Sequence, residues 1–237
     1  MPRVYVHSIP REGESARLDG EEARYLASVL RLAEGDEVAL FDSAGGRGKA
    51  SISEIGKRSV VLRVTEALAP EPEPPGGIVL IQGILKGQKM DLVVQKATEL
   101  GVRRIVPVVT ERSQVRETRK GQRWRKVALE AARQSGRAAV PEVRDPVALE
   151  EFLGASSPLR GLIFWEEGGL PLREAFEGAR GEGVVHAAIG PEGGFSRGEV
   201  ELARERGLVV ATLGSRILRA ETAAIAAVAL VGFLLEG

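Results

Sequence analysis

The sequence VVHAAIGPEGGFSRGEVELARERGLVVATLGSRILRAETAAIAAVALVGFLL, residues 184–235, decides the fold. Its first six residues form a mostly apolar, strand-like run. They break into the glycine-rich loop Gly190-Pro191-Glu192-Gly193-Gly194. Ser196 followed three residues later by Glu199 has the spacing of a capping box, so a helix is expected to start there and to stop at Gly207. A second strand, 208–213, breaks at Gly214 into the loop 215–220, and an apolar helix follows over 221–235. Two strands thus each run into a glycine-containing loop and then a helix. In open α/β sheets, ligands bind beyond the carboxyl ends of such strands.

Working outward, residues 76–237 alternate strands (78–84, 104–109, 161–165) with helices (86–100, 119–136, 172–179), which predicts a mostly parallel sheet with helices on both faces. Residues 1–69 read differently. Short strands at 4–7, 38–41, 48–55 and 59–64 surround one short helix, 22–30, with Leu26, Val29 and Leu30 on one face. That pattern fits a small β-barrel. Between the two lies LAPEPEPPGG, residues 68–77, whose four prolines and two glycines read as a stiff extended linker. The expected organisation is a barrel over 1–69, a linker over 70–77 and an α/β domain over 78–237.

Composition excludes several classes. The 237 residues contain no cysteine and only His7 and His186, so neither a disulfide framework nor a metal site built from histidine or thiolate is expected. The longest apolar run, 222–235, is shorter than the roughly 20 residues a membrane span needs. A soluble cytoplasmic protein is expected, with no membrane partner. Formal net charge is zero, but charge is uneven. Residues 103–144 hold twelve Arg or Lys against four Glu, among them Arg112, Arg116, Arg119, Lys120, Arg123, Arg125, Lys126, Arg133 and Arg137. Such a cluster is either a phosphate-binding stripe or a solvated helix face. The interleaved Trp124 and Gln134 favour a nucleic-acid contact. Arg3, Arg24 and Arg31 are further candidate ligand contacts, or simply solvated surface arginines.

The glycine loop is not a P-loop, because no Gly-Lys-Ser/Thr ends it, and GPEGGF lacks the glycine spacing of a dinucleotide fingerprint. Gly190 and Gly194 serve either positive φ, close packing or a ligand. The second loop says more. Ile217 and Leu218 are apolar residues in a loop and should cover something, either a neighbouring subunit or an apolar ring such as adenine. The helix after it is apolar nearly all round and needs burial on more sides than one sheet face offers, for which a subunit interface is the natural supplement.

IGPEGGFSRGEVE followed by LGSRILRAETA resembles the bacterial 16S ribosomal RNA uridine-N3 methyltransferases, the RsmE family, within the trefoil-knotted RNA methyltransferases. The resemblance extends upstream through LKGQKMDLVVQKATELGVRRIVPV, the triplet Glu111-Arg112-Ser113, RWRKVALEAARQSGR and YLASVLRL, and so covers nearly the whole chain. One departure is Tyr25, where many members carry histidine. The resemblance implies an α/β fold with a trefoil-knotted, mostly parallel C-terminal sheet, a small PUA-like N-terminal barrel and a homodimer. It also implies S-adenosylmethionine as cofactor, no metal, and 16S ribosomal RNA or the small ribosomal subunit as partner. The cofactor would be held by three loops, through Phe164, Ile189, Gly190, Gly194, Leu213, Gly214, Ser215, Ile217 and Leu218. RNA contacts would come from Arg24, Arg31, Arg112, Arg116, Arg123, Arg125, Lys126, Arg133 and Arg137.

Methylation at N3 of uridine requires loss of the N3 proton and stabilisation of the resulting anion. Glu221 or Thr222, at the start of the last helix, would handle the proton or orient the base. The bland reading is a dipole-favoured charge and a packing residue. Arg219 would stabilise the anion or bind a phosphate, unless it is ion-paired to Glu192 or Glu221. Competing readings are a 2′-O or N1-guanine enzyme of the same group, a non-catalytic RNA-binding assembly factor, and a nucleotide-binding oxidoreductase. The loop spacing argues against the last.

Overall fold

A computed structural model describes residues 1–43, 45–69, 76–115, 118–137, 139–155 and 158–236. The expected linker residues 70–75 lie outside the described residues. The chain divides into two units, Met1–Glu73 with Ala132–Val140 and Pro74–Ala131 with Pro141–Gly237.

The first unit is built on strands β1 (Arg3–Tyr5), β2 (Ser15–Asp19), β3 (Glu37–Phe41), β4 (Arg47–Ile55) and β5 (Ser59–Leu68), in sheet order β1-β3-β4-β5-β2. Only the β1–β3 pair is parallel. Alternating residues such as Val38 and Leu40, Ala50 and Ile52, and Val60, Leu62 and Val64 form the core. Register shifts at Lys49/Ala50 and Ile52/Glu54 bend β4 against β5, as bulges do. Sequence reading missed β2, whose SARLD has little strand character of its own; it forms because it pairs with Ser59–Arg63 of β5.

The expected helix 22–30 is only partly α-helical. α1 (Gly20–Arg24) passes into a π-helical turn over Tyr25–Val29, closed by Leu30 N–H donating to Tyr25 O at 2.9 Å. The extra residue per turn rotates the expected face. Leu26 is fully buried, whereas Val29 is 63% exposed.

The second unit carries an all-parallel eight-stranded sheet. Its strands are β6 (Gly77–Gly83), β7 (Arg104–Val109), β8 (Glu142–Val143), β9 (Val147–Ala148), β10 (Gly161–Phe164), β11 (Leu170–Pro171), β12 (Val184–Ile189) and β13 (Leu208–Thr212). The order is β11-β13-β10-β12-β6-β7-β8, with β9 also on β7. β6 is almost wholly buried, as a strand covered on both faces must be. Pro107 is tolerated in β7 because the ladder on its outer side is interrupted there. β8 pairs with Arg104 and Ile105, β9 with Val108 and Val109.

The helices are α2 (Lys89–Glu99), α3 (Gly121–Ser135), α4 (Leu149–Ala155), α5 (Leu172–Ala179), α6 (Arg197–Glu205) and α7 (Ala220–Glu236). α4, which sequence reading missed, joins α6 over one sheet face. Its Leu149 and Leu153 pack with Val79, Ile81, Ile163, Phe195 and Val200. α7 packs on α2, α5, β6 and β12. Only one stripe of α7 is covered, through Ala224, Ala227, Val228 and Val231. Leu230 remains 44% and Phe233 69% exposed, so the chain alone does not bury this apolar helix on all sides.

Candidate functional site

The loops after β10, β12 and β13 converge on one cleft beyond the carboxyl ends of those strands. All nine residues expected to hold the cofactor line it: Phe164, Ile189, Gly190, Gly194, Leu213, Gly214, Ser215, Ile217 and Leu218. Trp165, Glu166, Pro191, Glu192, Thr212, Arg216, Ala220 and Ala223 complete the lining. Pro191, Glu192 and Arg216 lie in loops the sequence had singled out, whereas Trp165, Glu166, Thr212, Ala220 and Ala223 were not among its cofactor candidates; Glu166 was findable as the residue directly following the predicted strand 161–165.

Glycine at 190 and 194 answers two different needs. Gly194 stands at φ +69°, and a Cβ there would run into the Glu166 carboxylate. At Gly190 a Cβ would lie 3.0–3.1 Å from the backbone of Gly194 and Phe195. The loop is also fixed from below. Gln82, fully buried at the end of β6, donates its amide to Gly83 O (2.9 Å) and Gly190 O (3.4 Å). The Trp165 indole N–H donates to Phe195 O at 3.3 Å. The predicted capping box is present at the start of α6. Glu199 is buried; its Oε2 accepts from Ser196 N–H at 2.8 Å, while Oε1 accepts from Glu111 N–H at 2.8 Å. That second bond ties the Glu111-Arg112-Ser113 loop to the glycine loop's exit.

Glu192 points toward α2. Its Oε1 accepts from Lys86 N–H (3.1 Å) and from Lys89 Nζ (3.2 Å). Burial pushes its pKa up, but the Lys86 amide, its own backbone amide and the Lys89 ammonium together outweigh that and hold the carboxyl below its usual range. Lys89 also lies 3.8 Å from Glu221 Oε2.

Arg219, Glu221 and Thr222 sit at the start of α7, beside the cleft rather than in its lining. Arg219 and Thr222 are exposed, while the Glu221 side chain is only 12% exposed. The alternative for Arg219, an ion pair with Glu192 or Glu221, is not formed. Both carboxylates face Lys89 instead, and Arg219 has no ion-pair partner among the described residues.

The basic segment does not form one solvent-facing stripe. Arg133 is buried, pairs with Glu22 at 2.5 Å and lies over the Tyr25 ring at 4.8 Å. It is therefore not available as a phosphate contact. Trp124 is 1% exposed and belongs to the core, so it offers no stacking surface. Arg123 pairs with Asp91 (2.6 Å) and Arg125 with Asp145 (2.6 Å), both from exposed positions. Arg112 is exposed and donates to Gly193 O at 3.1 Å, which places it on the glycine loop. Arg24, Arg31 and Lys126 are exposed, and Arg137 is half-buried. Arg116 lies outside the described residues.

No group of three or more His, Cys, Asp or Glu is placed to hold a metal among the described residues. His186 faces Arg160 O at 3.0 Å, and burial pushes its pKa down. Among the described residues, no helix is long and apolar enough to cross a membrane.

Residues 72–232 match the RNA methyltransferase domain, and residues 18–65 match the RNA methyltransferase PUA domain. The chain belongs to this RNA methyltransferase family. Ribosomal RNA small subunit methyltransferase E of Rickettsia conorii is 32% identical over 98% of this chain and 95% of its own. The same-named methyltransferase from Neisseria gonorrhoeae, solved bound to S-adenosyl methionine, is 34% identical, with TM-score 0.89 over 99% of this chain and 98% of its own. A Legionella pneumophila protein solved with the bound cofactor SAM is 33% identical, with TM-score 0.89 over 98% and 97%. The family's α/β fold with a parallel sheet and a PUA-like N-terminal unit is the one described above.

Proposed function

We propose that this methyltransferase transfers a methyl group from S-adenosylmethionine to N3 of a specific uridine in 16S ribosomal RNA. One observation carries the reading: three loops at the carboxyl ends of β10, β12 and β13 bring nine expected cofactor residues to one cleft, in a family with relatives solved with that cofactor. The cleft suits an adenosyl group. Ile189, Ile217, Leu218 and Phe164 supply apolar surface, and Gly190 and Gly194 let the glycine loop close on itself and pass the Glu166 carboxylate.

When bound, S-adenosylmethionine supplies an electrophilic methyl on its sulfonium. The chain's own work is alignment and proton handling. Glu221 accepts the N3 proton, and Arg219, exposed and without an ion-pair partner among the described residues, stabilises the uridylate. N3 then forms the new bond to the methyl carbon as the carbon–sulfur bond breaks and leaves a neutral thioether. Thr222 orients the base from the same helical turn. The uridine is taken from a single-stranded or loop region, where its edge is accessible.

Residues 1–69 serve as an RNA-binding unit, with Arg24, Arg31, Arg112, Arg116, Arg123, Arg125, Lys126 and Arg137 as candidate contacts. The open face of α7, with Leu230 and Phe233, supports a homodimer. The insertion of β12 between β6 and β10 supports a knotted chain path. Soluble, cytoplasmic placement goes with a ribosomal substrate. Calorimetry with S-adenosylmethionine and mass spectrometry of 16S RNA from a strain lacking the gene test the reading together. A methyl missing from one uridine is expected; an unchanged RNA profile sinks it.

A further inference from the structure

Lys89 occupies the first position of α2, where a cation opposes the helix dipole. Local helix energetics therefore do not explain it. Its partners do. The ammonium lies 3.2 Å from Glu192 Oε1 on the glycine loop and 3.8 Å from Glu221 Oε2 at the start of α7. These carboxylates come from two separate strand–loop–helix units, and Lys89 comes from a third. Each has one buried oxygen, Glu192 Oε2 and Glu221 Oε2, without a hydrogen-bond partner. The Glu192 contact is a hydrogen bond. The Glu221 contact is close enough for charge attraction but too long for a hydrogen bond, so that carboxylate is held near the cation without being saturated by it.

We propose that Lys89 is a positioning residue that couples the cofactor loop to Glu221. Its ammonium ties the glycine loop, through Glu192, to α2. The same charge, 3.8 Å from Glu221 Oε2, holds that carboxylate in place at the start of α7. The inference rests on the reading of Glu221 as proton acceptor. Lys89 touches no reacting atom in this scheme and acts through the two glutamates.

A double-mutant cycle on the full-length protein tests it, with Lys89→Met, Glu221→Gln and the pair, each checked by thermal melting. Lys89→Met is expected to lower kcat by about 10- to 100-fold, as a small misplacement of a catalytic group does, while S-adenosylmethionine binding by calorimetry weakens far less. Lys89→Arg is expected to restore most of kcat. In the Glu221→Gln background, Lys89→Met should cost little more, since residues acting as a unit are non-additive. Additive losses, or a Lys89→Met loss that falls wholly on cofactor binding, overturn the coupling alone. A wild-type chain that binds no S-adenosylmethionine overturns the functional reading along with it.

Discussion

The carboxylate of Glu166 stands where a Cβ on Gly194 would have to go. The two residues come from the loops after β10 and β12, so the cleft's shape depends on a missing side chain in one loop and a long one in the other. Gly194→Ala would both displace Glu166 and place alanine at φ +69°, a conformation that costs L-residues about 1–2 kcal/mol. We expect a fall in stability of that size by chemical denaturation. Calorimetry should show S-adenosylmethionine binding weaker by about tenfold or more, equivalent to about 1.4 kcal/mol.

Glu221 offers a separation of binding from chemistry. It stands beside the cleft lining rather than in it, so Glu221→Gln should leave cofactor affinity nearly unchanged. Methyl transfer should fall by about 10²–10⁴-fold if the carboxylate is the proton acceptor. Full activity in that variant eliminates the role and leaves Thr222 as the remaining candidate on that turn.

The basic residues should divide into two classes. Arg133→Ala removes a buried guanidinium from the half-buried Glu22 carboxylate and from the Tyr25 ring, and is expected to cost about 1–3 kcal/mol of stability. Arg112→Ala should leave stability nearly unchanged but lower the slope of log affinity for RNA against log salt by about one. Titrations of RNA binding at several salt concentrations, paired with melting curves, distinguish the classes.

Phe233 is 69% exposed at the far end of α7. Phe233→Asp therefore changes the fold's own stability little, within about 0.5 kcal/mol. It should convert the proposed dimer into monomers in sedimentation velocity. An unchanged sedimentation coefficient overturns the proposed dimer through this face of α7.

Glu192 gives the site a pH signature. Its carboxyl is held below the usual 4.5 by the Lys86 amide and Lys89, against burial. A depressed native pKa means that the folded state binds fewer protons than the unfolded one. Its contribution to stability is therefore present above the unfolded value and is lost as pH falls through the folded one. The melting-temperature gap between wild type and Glu192→Gln should be open at neutral pH and close below pH 4.5.

What the sequence disclosed was mostly local. The bounds 104–109, 172–179 and 184–189 match β7, α5 and β12, segments marked on at least one side by a charged residue, proline or glycine: Arg103 before β7, Pro171 and Arg180 around α5, Gly183 and Gly190 around β12. The capping box at Ser196 and Glu199 was legible because its spacing is its mechanism. What escaped depended on partners distant in the chain. β2 exists through its pairing with β5, and α4 through the sheet face it covers. The π turn at Tyr25–Val29 moved Val29 out of an otherwise correct helical face. At the site, Lys89 and Glu166 were invisible, since a lysine at a helix start and a glutamate after a strand are commonplace. Only their neighbours give them meaning.

Glu199 ties together two places that the chain separates by 88 residues, the first turn of α6 and the amide of Glu111. With one carboxylate serving both, the helix cannot fray at its start without letting go of the loop. The two openings become a single event. Hydrogen exchange at the Glu111 and Ser196 amides should therefore follow one common opening free energy, rather than the independent values expected of a loop and a helix end. The stretch that carries Arg112 thus leaves the sheet from a fastened point, and its reach is measured from there.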